Sequence, residues 1–309
     1  MGNTEINRGA RRLKHRIEHA VVSRLLRSFA ARPLHEALER GARLGRIWHA
    51  LDRNHRRLAT RNIRLGLGLA APAAARVARA CFENLGRTLA EFALAGNRSE
   101  ELLARVDLEG AEHLHAALAG GRGVFILAGH CGNWELAAAR ISREVPVTGL
   151  ARPMANPLVE TAIEAQRCAA GNRTMNARDS ARGVLRLLQR GEAVGVLLDQ
   201  NALRNERVFV PFLGRPAATN FGLAMLALKT GAPVLPAFSA REPDGRHRVW
   251  IGAPIPLAEA GDRAARIGVS TARYTAAIED YVRRYPEQWF WVHNRWKRTP
   301  DAGEPVWEP

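Results

Sequence analysis

The sequence predicts an α/β fold, in which helices cover a largely parallel central sheet, preceded by an N-terminal helical region. Short apolar runs rich in Val, Ile and Leu recur from about residue 106, and helical stretches separate most of them. Continuous apolar strands that alternate with helices are typical of a parallel sheet covered on both faces. Residues 1–105 show helical periodicity alone. We therefore expect a helical region over 1–105 and an α/β domain over 106–309, joined as one continuous structural unit.

The first predicted helix, residues 11–31, combines an apolar stripe with a basic surface. Apolar side chains recur at helical spacing from Leu13 to Phe29, Arg and Lys fill much of the rest, and Pro33 closes the segment. Such a helix can lie in the headgroup layer of an anionic bilayer. It can equally pack its stripe on the domain, and the segment itself favours neither interpretation. Further helices are predicted over 34–105, with a break near 66–72.

Five apolar runs then predict the strands of the sheet. They cover residues 123–129, 145–152, 193–200, 233–241 and 248–254. The helices predicted around them cover residues 133–142, 157–170, 178–190 and 219–230. The chain returns to helix over about 261–296 and ends in a cluster of Trp, Phe, Arg and Lys.

The charge of the chain is strongly positive and unevenly distributed. The formal net charge is +16, and residues 1–100 hold 20 Lys and Arg against 8 Asp and Glu. Such a surface attracts nucleic acid, anionic lipid headgroups or an acidic partner protein. The composition, 47% hydrophobic and 25% charged, is that of a globular protein and excludes a disordered one.

The cysteines and the apolar windows indicate where the protein works. Cys81, Cys131 and Cys168 lie far apart, which argues against a zinc site or a disulfide framework and favours a reducing compartment. The sequence has no window of about 20 uncharged apolar residues and no signal-peptide pattern. We expect a cytoplasmic protein, free or lying on a membrane surface, without a bound metal.

Three polar side chains follow predicted strands and predict a site. His130, Arg152 and Asp199 each come at or just beyond the end of an apolar run. Ligands of open α/β sheets bind beyond the carboxyl ends of the strands. We therefore expect these three side chains to lie at one edge of the sheet.

The turn that holds His130 also holds a carboxylate and a thiol. Asn133 is a candidate N-cap, which places Glu135 in the first helical turn, where an ionised carboxylate is favoured. Glu135 could orient the imidazole of His130, which would then act as a general base on a nucleophile supplied by the substrate. Cys131 offers a rival reading as the nucleophile of a hydrolase. Adjacent side chains tend to point apart, which favours Cys131 as a small buried residue. The pair alone does not separate a catalytic site from a chance pairing.

The motif "GHCGNWE" (129–135) resembles the signature of the bacterial lipid A biosynthesis acyltransferases, a family that includes lauroyl and myristoyl transferases. Other segments resemble further blocks of this family, in the same order along the chain. They are "RRLATRNI" (56–63), "CFENLGRTLAEF" (81–92), "GLARPMANP" (149–157), "LLDQN" with "VFVPFLGRPAATNFGLAMLALKTGAPVLP" (197–236) and "YPEQWFWVHNRWK" (285–297).

The resemblance implies an acyl transfer. Members move a fatty acyl chain from a thioester, on acyl carrier protein or coenzyme A, to a hydroxyl of a glycolipid at the cytoplasmic face of the inner membrane. It implies that His130 deprotonates the acceptor and that Glu135 orients it, with no cofactor besides the acyl donor. The acceptor most consistent with it is a lipid A precursor.

The resemblance also gives roles to other residues of the site. Arg152 is a candidate for stabilising the oxyanion or binding a donor phosphate, although it could instead form an ion pair with Asp199. Asp199 and Gln200 are expected to shape the site, and Asn133 to fix the loop. Arg215 is a candidate contact for an anionic headgroup.

Two features leave alternatives open. Many members of the family begin with a hydrophobic anchor helix, whereas Glu18, Arg24 and Arg27 interrupt the corresponding region here. We therefore expect a peripheral membrane enzyme. The acceptor could also be a phosphatidylinositol mannoside or an aminolipid. From another class of function, the charge alone would suit a nucleic-acid-binding protein, but that interpretation leaves the residues at the strand ends unexplained, so we expect no nucleic-acid partner.

Overall fold

The structure is a computed structural model, which describes residues 2–176 and 180–309, with the side chains of 9–176 and 181–309. The helices are α1 (Gly2–Ala30), α2 (Leu34–Leu51), α3 (Arg53–Leu67), α4 (Ala71–Leu103), α5 (Ala111–Ala119), α6 (Trp134–Ile141), α7 (Pro157–Ala169), α8 (Ser180–Gln189), α9 (Gly222–Thr230) and α10 (Arg263–Arg284). The strands are β1 (Val106–Glu109), β2 (Val124–Ala128), β3 (Val147–Ala151), β4 (Arg173–Asn176), β5 (Ala193–Leu197), β6 (Arg207–Phe212), β7 (Arg215–Asn220), β8 (Val234–Arg241) and β9 (His247–Ile251).

Seven strands form one mostly parallel sheet, which confirms the predicted fold class. Their order is β1-β9-β8-β2-β5-β3-β4, and within the sheet only the β8–β9 pair is antiparallel. The five strands from β8 to β4 therefore run in one direction, and their carboxyl ends share one edge. The loops after β2, β3 and β5 open at this edge, as predicted.

The N-terminal helices pack closely against one another and against the sheet domain. The predicted break near 66–72 is confirmed, because Gly68 ends α3 in a left-handed conformation and α4 begins at Ala71 with Pro in its first turn. Glycines bring α2 and α4 together. A Cβ on Gly45 would lie 2.0 Å from the carbonyl oxygen of Phe82. The close contact positions α4, whose later turns support the site.

Several elements differ from the sequence expectation. Residues 207–220 form the antiparallel hairpin β6–β7, where no strand was predicted. The last helix ends at Arg284, and the aromatic segment that follows is irregular with a single 3-10 turn over Pro286–Gln288. β1, β4 and α5 were not predicted. The start predicted for α8, residue 178, lies outside the described residues.

α3 and α4 are the described helices that bear on whether the chain could cross a membrane. In the described part of the chain, a single helix long and apolar enough to cross a bilayer is not found. α3 and α4 meet the length and composition requirement only as a pair, and that pair is bent by 120°.

Candidate active site

The loop between β2 and α6 carries His130 and is held by contacts from distant segments. The amide of Gly132 donates to the carbonyl of Gln288 (2.8 Å), and the amide of Asn133 donates to Ser239 Oγ (3.1 Å). Gly132 has a φ of 57°, and a Cβ there would lie 2.1 Å from the carbonyl oxygen of Ser239. The position therefore accepts glycine alone, for its conformation and for the space. The loop is rigidly placed at the edge of the sheet.

Asp199 is the partner of His130. The Nδ1 of His130 lies 2.8 Å from Asp199 Oδ1, and the backbone amide of His130 donates to Oδ2 of the same carboxylate (2.9 Å). Trp289 Nε1 donates to Oδ2 as well (2.8 Å). Since Asp199 is ionised and accepts, Nδ1 carries the proton and Nε2 keeps its lone pair. The imidazole therefore presents a basic nitrogen away from Asp199.

The pair shifts the pKa of both partners. Burial opposes the charged imidazolium, but the Asp199 carboxylate and its hydrogen bond raise the pKa of His130 above its usual value. Burial likewise opposes ionisation of Asp199, but His130 and Trp289 lower the pKa of this carboxyl to about 2. Asp199 is 2% exposed, so its charge is shielded from water. A buried carboxylate that stabilises an imidazolium is what a histidine base requires.

Aromatic rings and a glutamine surround the imidazole. Trp134 meets His130 edge-on at a centroid distance of 5.0 Å, and Phe290 lies at 5.6 Å. Gln200 Nε2 lies 3.4 Å from His130 Nε2, so this amide faces the basic nitrogen. The backbone after Gln200 is fixed, because the amide of Asn201 donates to His293 Nε2 (2.9 Å). Burial lowers the pKa of His293 to about 4, which keeps this acceptor neutral at physiological pH.

Glu135 does not occupy the position predicted for it. Its carboxylate accepts hydrogen bonds from Arg167, at 3.1 Å from Nε and 2.6 Å from Nη2. The direct contact predicted between His130 and Glu135 is therefore wrong, and Asp199 takes that place. The reason is local, because Asn133 caps α6 by accepting from the amide of Leu136 (3.0 Å) and so fixes where the first turn directs Glu135. Glu135 still helps to raise the pKa of His130 through its charge. A catalytic role for Glu135 stays a prediction.

An apolar cavity of about 110 Å³ lies between the sheet and α6, and the two chain neighbours of His130, Gly129 and Cys131, are among its lining residues. Its lining is mostly small or aliphatic, with Glu135 and Arg167 at its polar side. Two glycines contribute to this space because they have no side chains. Gly149 of β3 and Gly195 of β5 are paired in register, and both line the cavity. A Cβ on Gly149 would meet only the carbonyl oxygen of Arg173, at 3.7 Å. The apolar cavity therefore borders the loop that carries His130.

The other predicted residues lie in different surroundings. Arg152 is 58% exposed and faces Glu206 at 3.5 Å, so its alternative ion pair with Asp199 does not form. Asn133 is 1% exposed, and both ends of its amide are engaged within the protein. It supports the loop and has no free group for a substrate.

Cys131 is a buried residue of the core. It is 1% exposed and forms a backbone bridge with Trp289. Burial, followed by the charge of Asp199, raises the pKa of its thiol well above the usual value. A buried, protonated thiol is a poor nucleophile, which agrees with its interpretation as a small core residue.

A buried charged cluster behind the loop was missed in the sequence. Glu91 of α4 accepts from Asn133 Nδ2 (2.7 Å) and Arg241 Nη2 (2.7 Å), and it lies 2.9 Å from His247 Nε2. Burial favours the neutral acid, but Arg241 and His247 hold the pKa of Glu91 below its usual range. The carboxylate thereby ties α4, β8 and β9 to the N-cap of α6. An acid inside the otherwise apolar run "LAEFALA" was the available signal.

Among the residues that the structure describes, no three His, Cys, Asp or Glu side chains are grouped so that they could hold a metal ion.

The fold and the site define an α/β protein with a buried histidine–aspartate pair at the carboxyl edge of a mostly parallel sheet. The chain belongs to the bacterial lipid A biosynthesis acyltransferase family, whose model matches residues 8–298. It is an acyltransferase, as are the relatives compared below.

The relatives carry two kinds of name. The chain is 30% identical, over 72% of each sequence, to a lipid A biosynthesis lauroyltransferase of Escherichia coli (strain K12). It is 28% identical, over 71% of each, to a lipid A biosynthesis palmitoleoyltransferase of the same strain. It is also 28% identical to a phosphatidylinositol mannoside acyltransferase of Mycobacterium tuberculosis (strain ATCC 25618 / H37Rv), over 70% of this chain and 69% of the relative. The resemblance inferred from the motifs is confirmed.

Proposed function

We propose that the protein transfers a fatty acyl chain from a thioester donor to a hydroxyl of a membrane glycolipid, with a lipid A precursor as the acceptor. The donor is acyl carrier protein or coenzyme A carrying the chain. The observation that carries the proposal is the His130–Asp199 pair, which leaves Nε2 as the basic nitrogen, facing Gln200, in a loop that borders an apolar cavity. The names of the lipid A transferases among the relatives support the acceptor.

The reaction uses His130 as a general base. Nε2 takes the proton of the acceptor hydroxyl while its oxygen attacks the thioester carbonyl carbon. Asp199 stabilises the imidazolium that forms. When the tetrahedral intermediate collapses, the C–S bond breaks and the leaving thiolate takes the proton from Nε2. The products are the new ester and the free thiol, and the imidazole returns to its starting state.

The acyl chain and the donor use the groups around the base. The cavity bounded by Gly149 and Gly195 takes methylene groups next to the thioester, because its lining offers apolar contacts. Arg152 lies at the end of β3 on the same edge and is largely exposed, so it contacts a phosphate of the donor or the acceptor. Glu135 and Arg167 close the polar side of the cavity.

A phosphatidylinositol mannoside is the second candidate acceptor. The similarity to the mycobacterial acyltransferase, 28% identical, supports it, whereas the family model and the lauroyl and palmitoleoyl transferases support lipid A. Mass spectrometry of lipids from cells with and without this protein separates the two. A difference of one acyl chain on lipid A establishes the first acceptor, and the same difference on a mannoside establishes the second.

We also propose that the enzyme binds peripherally to the cytoplasmic face of the inner membrane. Leu13, Ile17 and Val21 of α1 form a stripe that the rest of the protein leaves more than half exposed, at 61%, 56% and 61%. Arg and Lys flank this stripe. Apolar insertion combined with attraction to anionic headgroups gives the two signals that stable surface binding requires.

The mechanism is tested by two substitutions in adjacent residues. His130→Ala should lower turnover by about 10²–10⁴-fold, the usual contribution of a general base. Cys131→Ser should retain most activity, since the thiol is buried and protonated. The assay measures acyl transfer to the purified lipid, with thermal unfolding as the control for folding. Equal losses in both variants would show that the base assigned here is not the one used.

A further inference from the structure

α3 presents three arginines to solvent without a carboxylate partner. Arg57, Arg61 and Arg64 are exposed, and among the described residues none of them lies within ion-pair distance of an Asp or Glu. Their spacing places them on one side of the helix, where like charges destabilise it. A bound ligand of negative charge would relieve the repulsion among the three arginines.

A groove of about 690 Å³ runs along this side of α3, between the end of α2 and the start of α4. The three arginines line it, and Asp and Glu are absent from its lining. Arg56 is fixed at the same groove, because its Nη1 donates to the carbonyls of His49 (2.9 Å) and Ala50 (2.8 Å). Burial, together with the charges of Arg56 and Arg79, lowers the pKa of His49. The local potential is therefore positive.

The groove is separate from the site of acyl transfer. It shares no lining residue with the cavity that borders the loop of His130. The opposite face of α3 packs inward, where Asn62 Nδ2 donates to the carbonyls of Trp291 (3.0 Å) and His293 (2.8 Å). Arg215 lies at the edge of the groove, since its Nε donates to the carbonyl of Leu65, which lines it (3.2 Å).

We propose that this groove is a second binding site, which takes a phosphate group carried on a larger organic molecule. Guanidinium groups match phosphate oxygens with paired hydrogen bonds, and three of them converge here. The volume lies within the range of organic ligand sites, about 300–1,000 Å³, and exceeds what free phosphate needs. Leu65 and Leu69 offer apolar contacts to the group that carries the phosphate. A phospholipid headgroup and a soluble phosphate ester both have this chemistry.

The test removes the groove charges and compares the result with an equal loss of charge elsewhere. The variant is Arg57→Gln/Arg61→Gln/Arg64→Gln. The control is Arg40→Gln/Arg186→Gln/Arg284→Gln, three exposed arginines on α2, α8 and α10 without ion pairs in the described structure. Binding of the full chain is measured to glycerol 3-phosphate and to phosphatidylcholine vesicles with and without phosphatidic acid. These two probes carry the same phosphate in soluble and membrane form.

The groove variant should lose about a hundredfold in affinity for at least one probe, while the control changes little. Loss for the vesicles alone identifies a lipid headgroup, and loss for both probes identifies a site for phosphate esters in general. If the groove variant fails to fold, Arg61→Gln alone should weaken binding about fivefold. Equal behaviour of the groove and control variants overturns the proposal.

Discussion

At the scale of residues, the geometry of the site depends on the three hydrogen bonds that the Asp199 carboxylate accepts. Its two oxygens accept from His130 Nδ1, from the His130 amide and from Trp289 Nε1. The carboxylate therefore fixes both the tautomer and the position of the imidazole. Trp289 also keeps Asp199 ionised, which maintains the raised pKa of His130.

Asp199→Asn tests this arrangement through the pH profile. The base works when neutral, so wild-type activity should fall as the pH drops through the raised pKa of His130. Replacing Asp199 removes the charge that raises this pKa, so the acid limb of kcat/KM should move to lower pH. The plateau should also fall, by about 10²–10⁴-fold, because the imidazolium loses its partner.

The measurement is kcat/KM against pH for both proteins, with Gln200→Glu as a comparison that adds a charge near Nε2. That comparison variant should move the acid limb in the opposite direction. If the acid limb of Asp199→Asn stayed at the wild-type pH, Asp199 would not be the group that raises the pKa of His130.

The partner of His130 shows what sequence reasoning could and could not reach. The edge of the sheet was predicted, because His130 and Asp199 each follow an apolar run. The pairing within that edge was assigned to Glu135 on proximity along the chain. Asp199 is 69 residues away, and only the register of β2 and β5 brings it to the imidazole. Convergence of strand ends was the better signal.

At the scale of elements, α4 supports the catalytic loop through a buried charge. Glu91 and Arg241 are both largely removed from water, with side chains 2% and 9% exposed. Neither is tolerated alone in such surroundings. Their pairing makes the N-cap of α6 part of the same network, since Asn133 donates to Glu91.

Glu91→Ala should destabilise the protein by about 3–5 kcal/mol, because Arg241 is left buried without its counter-charge. Glu101→Ala, in the same helix, removes the partner of an exposed pair and should cost at most about 1 kcal/mol. Chemical denaturation measures both. Similar values for the two would show that the buried cluster adds no stability.

The paired glycines of β3 and β5 predict a chain-length effect. Gly149→Val should fold, because its Cβ meets no close neighbour and Val suits a strand. The added atoms should fill part of the cavity and exclude methylene groups of the donor. We expect kcat/KM to fall more for long acyl donors than for short ones, with Gly149→Ala intermediate. Equal losses of kcat/KM for long and short donors would show that the acyl chain of the donor does not occupy this cavity.

Local signals decided which elements were predicted. Apolar strands buried on both faces stood out, whereas β1 and β4 have four residues each and offer little pattern. The β6–β7 hairpin was not predicted, because one of its two turn residues is a leucine. Leu213 and Gly214 both have positive φ, at 51° and 74°, as tight hairpin turns require. Leu is a rare residue for that conformation, which hid the turn.

At the scale of the whole molecule, the proposed membrane surface is the exposed apolar stripe of α1. Leu13→Gln/Ile17→Gln/Val21→Gln should leave the fold intact, since these side chains are already exposed. Binding to anionic vesicles should weaken by about tenfold for each side chain, through lost burial in the headgroup layer. Added salt should weaken the remaining binding, because it depends on charge.

A matched variant makes this prediction specific. Ile47→Gln/Leu51→Gln/Leu203→Gln removes three other exposed apolar side chains, which are 48%, 77% and 52% exposed. Vesicle co-sedimentation compares the two triple variants with the wild type. Comparable losses in both would mean that α1 is not the membrane-binding surface.

The indole of Trp289 has a consequence for how the enzyme is made. Trp289 follows Asp199 by 90 residues, and its backbone bridges Cys131 in the loop of the base. Domains begin to fold from the N-terminal side during synthesis. A nascent chain that ends at α10 contains His130 and Asp199. It lacks Trp289, which donates to Asp199 and bridges the loop of His130. Activity should therefore appear late in translation, after the ribosome has released Trp289.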